Sequence, residues 1–124
     1  MGQVNKYQGE DIAFSVKIYK DINKTELVNL DDVSEIVIYI YTDGCKKAMF
    51  SKTAKEGYIQ LNRTTSTEYA GIVDSSLSKL IAPGVLFLEI NIAESETDIS
   101  DGKWNIIQRA PIGTLRKSLI KIES

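Results

Sequence analysis

Apolar and polar positions alternate with a period of two along most of the chain, the spacing of strands that turn one face to a core and the other to water. In "DIAFSVKIYK", Ile12, Phe14, Val16 and Ile18 fall on one side, and Ala13, Ser15, Lys17 and Tyr19 on the other. In "SEIVIYIYTDGCKKAMFSK", Ile36, Ile38 and Ile40 alternate with Val37, Tyr39 and Tyr41, so both faces are apolar or aromatic. That pattern predicts a central strand. Thr42-Asp43-Gly44 then supplies a tight hairpin, because Gly tolerates positive φ and Asp bonds its own following backbone; the chain returns through Ala48 to Phe50.

"GYIQLN" and "TEYAGIVD" read as two shorter strands separated by a polar "RTTST" turn. In "SSLSKLIAPG", Leu77 and Leu80 stand three residues apart behind Ser and Asp, which predicts one helical turn ended by Pro83-Gly84. "VLFLEINIAE" lines Leu86, Leu88, Ile90 and Ile92 on one face. On its other face Val85 and Phe87 give way to Glu89 and Asn91, so its two ends are expected to be unequally covered. An acidic loop, "ESETDISDG", leads into "KWNIIQRAPIGTLRKSLIKI", one interrupted strand or two short ones. Strands at this spacing, with no long helical period, predict an all-β sandwich or barrel. Residues 1–124 form one expected domain, with residues 1–8 as an amino-terminal arm or an edge strand.

Composition narrows the chemistry. With 124 residues, 43% of them hydrophobic, a core can form without metal or disulfide staples. There is no histidine, which removes the commonest general base and metal ligand. Cys45 is the sole cysteine, which excludes an intrachain disulfide and the Cys/His zinc sites. Fifteen basic and 17 acidic residues are interspersed, so the basic stripe of a nucleic-acid surface is missing. No signal peptide opens the chain, and no apolar run approaches the roughly 20 residues of a membrane span. The expectation is a soluble protein with no catalytic, cofactor-binding or metal residues and no enzyme activity, since neither an activated nucleophile nor a base stands out.

Two stretches remain as candidate sites. Glu94, Glu96, Asp98 and Asp101 could gather calcium, but their spacing does not fit the twelve-residue calcium loop, and a solvated hairpin tip is the better expectation. Pro111 cannot donate to a ladder, and Gly113 supports a break in pairing, so "SDGKWNIIQRAPIGTL" is expected to be an edge. Trp104, Ile106, Arg109, Pro111 and Leu115 would then form an interaction edge for another chain or for self-association, blunted by Lys103, Arg109, Arg116 and Lys117. The rings of Tyr39, Tyr41, Tyr58, Tyr69 and Trp104 suit a sugar platform or a protein partner, although alternating strand positions favour the core, least so for Trp104.

The segments "GEDIAFSVKI", "LVNLDDVSEIVIYIYT", "LIAPGVLFLEINI" and "SDGKWNIIQRAPIGTL" occur in an order that resembles the small immunoglobulin-like β-sandwich domains of phage and prophage tail, baseplate and fibre proteins. The resemblance covers nearly the whole chain and is nearest to the amino-terminal domains of upper-baseplate proteins, including those of gut Bacteroidales prophages. It implies an immunoglobulin-like antiparallel sandwich with one short helical turn. It also implies a non-catalytic virion component without cofactor, assembled in the bacterial host cytoplasm and docked to other phage structural proteins or to copies of itself as a homo-oligomer. A baseplate subunit of that family usually continues into a coiled coil or fibre, which this sequence does not. The alternative from a different class is a carbohydrate-binding or adhesin-type module, with Trp104 and the acidic loop as its ligand patch.

Overall fold

The alternation in "DIAFSVKI" is realised as β2 (Ile12–Val16), whose Ile12, Phe14 and Val16 all point into the protein interior. The computed structural model describes residues 4–19, 26–44, 46–93 and 106–117. Before β2 comes β1 (Val4–Tyr7), and after it a 3-10 turn at Leu30–Asp32 and the strands β3 (Glu35–Tyr41), β4 (Lys47–Ser51), β5 (Ile59–Gln60) and β6 (Asn62–Thr65). β7 (Glu68–Val73), the helical turn α1 (Ser75–Ser78), β8 (Gly84–Ala93) and β9 (Ile106–Arg116) complete the order.

These strands form two sheets, one ordered β1-β9-β8-β3-β4-β5 and the other β2-β7-β6. The order is that of an immunoglobulin-like sandwich whose larger sheet is extended beyond its three central strands. Most pairings are antiparallel, but β1 runs parallel to β9 and β5 parallel to β4. The chain changes sheets between β5 and β6. At that crossing Leu61 turns inward and donates its amide to the Ser51 carbonyl at 2.7 Å.

Between the sheets lie Ile12, Phe14, Val16, Tyr69 and Val73 from the smaller one and Ile36, Ile38, Ile40, Phe50, Leu86, Leu88, Ile90 and Ile92 from the larger. Phe14 of β2 and Phe50 of β4 meet edge to face, centroids 4.8 Å apart, and so join the two sheets. With one cysteine in the chain, no intrachain disulfide can join the two sheets.

Several sequence expectations change in the folded chain. β3 and β4 pair as the antiparallel hairpin expected, but Tyr41 pairs with Lys47, so the connection is longer than a tight turn at Thr42-Asp43-Gly44. Thr42 instead donates its hydroxyl to the Ala82 carbonyl at 2.8 Å, and a Cβ on Gly44 would stand 2.8 Å from the Ala82 Cβ, so this loop packs on the segment before β8. "RTTST" is not a turn throughout: Arg63, Thr64 and Thr65 belong to β6 and only Ser66-Thr67 reverse the chain. The helical turn forms as expected, but Ser78 and Ile81 are its buried positions, while Leu80 is 58% exposed. The unequal cover expected along β8 is present: its Asn91 end is the more covered, whereas Val85 is 47% exposed.

The largest correction concerns the last strand. β9 is flanked by β8 along its length and by β1 from Gly113 to Arg116, so its carboxy-terminal half is interior and β1 is the edge. Pro111 stands beside a bulge: Leu86 pairs with Gly113 and Phe87 with Pro111, leaving Ile112 as the extra residue, turned into the core. No strand pairs with the far side of residues 106–112 among the described residues.

Candidate functional site

The outward face of the larger sheet gathers the chain's most distinctive side chains, and strand register explains how. Antiparallel partners share a face, so pairing sets Arg109, Glu89, Tyr39 and Met49 in one row across β9, β8, β3 and β4. The next row is Pro111, Phe87, Tyr41 and Lys47. Tyr58, from the loop before β5, joins them by a 3.2 Å contact between its hydroxyl and that of Tyr39, with the rings 6.4 Å apart.

Cations lie over these rings. The Arg109 guanidinium is 3.8 Å from the centroid of Phe87 and 5.5 Å from that of Tyr41. Lys47 Nζ stands 4.6 Å from Tyr41 and 5.5 Å from Tyr39, and Lys55 Nζ 5.3 Å from Tyr58. Such contacts hold long side chains flat against a sheet at a gain of about 0.5–1 kcal/mol each when exposed. Tyr41 donates to Glu89 Oε1 at 3.1 Å, and Asn91 reaches the other oxygen of that carboxylate at 3.4 Å.

Two of the phenols on this face, Tyr39 and Tyr41, are raised above the ordinary tyrosine range. The hydrogen bond with Tyr58, followed by burial, pushes Tyr39 up to about 12. Burial, then the bond to Glu89, raises Tyr41, while Arg109 pulls it the other way. The face therefore offers apolar rings, hydroxyl donors and positive charge to whatever covers it.

Of the residues singled out from sequence, Arg109 and Pro111 lie exposed on this face. Leu115 does not belong to an interaction edge: it is 2% exposed and packs in the core, because the bulge at Ile112 shifts which residues of β9 turn inward. Ile106 opens β9. Trp104 and the acidic residues Glu94, Glu96, Asp98 and Asp101 lie outside the described residues, as does Cys45. Among the tyrosines, Tyr69 is in the core, but Tyr39, Tyr41 and Tyr58 are half-buried on the outer face. Among the described residues, no group of three or more Cys, Asp or Glu is placed to hold a metal ion. No helix there is long and apolar enough to cross a membrane.

Two polar clusters went unread in the sequence. Buried Glu35 accepts the amides of Ile36, Lys52 and Thr53 at 3.0–3.1 Å and the Thr53 hydroxyl, with Lys55 Nζ at 3.9 Å. At the 3-10 turn Asp31 binds Arg63 and Tyr69, and Lys52 donates to the carbonyls of Leu30, Asp31 and Val33. The "LDDVSE" acids carried the only sequence signal, since alternation does not say which carboxylate will be enclosed.

Strand order and surface together define the class: an immunoglobulin-like β-sandwich with an aromatic, cationic sheet face. No family model matches the sequence, and no curated protein matches it. Among solved structures, the chain is similar to the one described as the RIG-5 IG1 homodimer, at 12% identity over 96% of this chain and 92% of that one, with a TM-score of 0.43. A likeness at that level carries no argument about partners or activity.

Proposed function

We propose that the chain is a non-catalytic docking module of a phage-like particle, a tail, baseplate or fibre accessory that assembles with other structural proteins in a bacterial cytoplasm. The observation that supports docking is the row of Phe87, Tyr41 and Lys47 with Arg109 beside it, since aromatic residues and arginine are enriched at protein interfaces. The particle assignment rests on the sequence resemblance to phage sandwich domains.

A sugar-binding module would use the same rings differently. Stacking needs an open ring face, and here Arg109 lies on Phe87 while Lys47 lies over Tyr41, so a sugar would first have to displace two cations. Protein docking requires no such displacement.

The test is fractionation of particles released by cells that naturally express the chain. In the proposed role the chain co-sediments with intact particles in a fixed ratio to the tail proteins and resists a salt wash. Particles free of it would overturn the assignment, as would binding on a glycan array that Tyr41→Ala removes.

A further inference from the structure

We infer that the aromatic, cationic face of the larger sheet takes an acidic segment of a different protein, whose carboxylates meet Lys47 and Arg109 where these lie over Tyr41 and Phe87. The inference rests on the docking reading above and names the partner's chemistry.

Charge on the face is unbalanced while charge on the molecule is not. Lys47 and Arg109 are both exposed, and neither makes an ion pair among the described residues. Glu89 is the acid that register sets between them, and its two oxygens already accept from Tyr41 and Asn91. The whole chain has a net charge of -2, so the face is a local positive region on an acidic protein. Complementary potentials across an interface steer encounter and exclude wrong partners.

A second copy docked by the same face would bring Lys47 and Arg109 against their own kind around a two-fold axis, which like-charge repulsion opposes. A nucleic acid needs several cations tracking a phosphate backbone, whereas here Lys47 and Arg109 are grouped about Tyr41 and the third cation of the face, Lys55, stands 3.9 Å from Glu35. A short protein segment carrying carboxylates fits this grouping. Because the cations are already laid flat on rings, little side-chain freedom is lost when the partner arrives.

The test uses a yeast-displayed library of random peptides, panned against the full chain. Enriched peptides are expected to be rich in Asp or Glu. Lys47→Glu with Arg109→Glu should then weaken their binding about tenfold or more, added salt should weaken it in the unmodified chain, and Tyr41→Ser should also weaken it. Circular dichroism confirms that each variant is folded.

Peptides that are neutral or basic, lost on Tyr41→Ser but indifferent to the charge reversal, would overturn the acidic partner and leave docking intact. Peptides indifferent to all these changes would overturn both. Light scattering across a hundredfold dilution should find a monomer; a dimer dissolved by Tyr41→Ser would make the occupant a second copy and overturn the inference. A fluorescent single-stranded oligonucleotide bound through Lys47 and Arg109 would do the same.

Discussion

Asp31 shows what one carboxylate does when three groups converge on it. Its oxygens accept from Arg63 Nε at 2.9 and 3.1 Å, from Arg63 Nη2 at 2.9 Å and from the Tyr69 hydroxyl at 2.6 Å. The Arg63 hydrogen bonds first, and then that of Tyr69, lower the acid from 3.8 to about 2. Burial, followed by the same bond to Asp31, pushes Tyr69 up to about 12. The ionised acid is thus favoured in the fold, and its contribution is present above pH 3.8 and lost as pH falls from there toward about 2. Asp31→Asn should therefore be less stable than the unmodified chain at neutral pH, with the gap closing over that acid window. Urea titrations of both proteins at several pH values check this; a gap independent of pH would mean that the charge of Asp31 is not what matters. At this scale little was legible beforehand, since "LDDV" shows acids ahead of a strand but not which faces Arg63 or which tyrosine is inside.

Among the elements, α1 works as a clamp on the connection between β1 and β2. Asp74 caps it by accepting from the Leu77 amide at 2.9 Å, which starts the turn that buries Ser78. Ser78 Oγ donates to the Glu10 carbonyl at 2.7 Å and accepts from the Gly9 amide at 3.0 Å, while Gln8 reaches the Ile81 carbonyl at 2.8 Å. Ser78→Ala should cost about 1–3 kcal/mol, the usual net value of two such bonds, and should loosen the β1–β2 turn. Hydrogen exchange at Gly9 and Glu10, with a urea midpoint, measures both effects; unchanged protection at those amides would show that the clamp is not needed. Alternation announced β2, β3 and β8 because it reflects one sheet's two sides, a local property. It could not announce that β1 would pair with β9, since those strands lie at opposite ends of the sequence, or that a bulge at Ile112 would turn Leu115 inward.

For the whole molecule, the contact between Phe14 and Phe50 carries the junction of the two sheets, and Gly71 makes room for it. A Cβ at Gly71 would stand 2.6 and 2.9 Å from Phe14 ring carbons and 3.2 Å from Phe50. Both rings are enclosed, so neither can swing out of the way. Gly71→Ala should therefore destabilise by about 1–3 kcal/mol, the range for overpacking a filled core, and a urea midpoint at or above that of the unmodified chain would refute the packing argument. The sequence by itself determined the class of fold, because a period of two with turn residues between strands leaves only sandwiches and barrels that bury one face of each strand. It excluded an intrachain disulfide and histidine chemistry as well, through one cysteine and no histidine. Only the tertiary structure decided which side of β3 would be core and which would be surface. Ile36, Ile38 and Ile40 met the smaller sheet, and Tyr39 and Tyr41 were left outside, between Lys47 and Arg109. The reason is that both sides of β3 are apolar enough to be buried, so its facing is set by pairing partners brought from elsewhere in the chain, and the candidate docking face exists only where those partners meet.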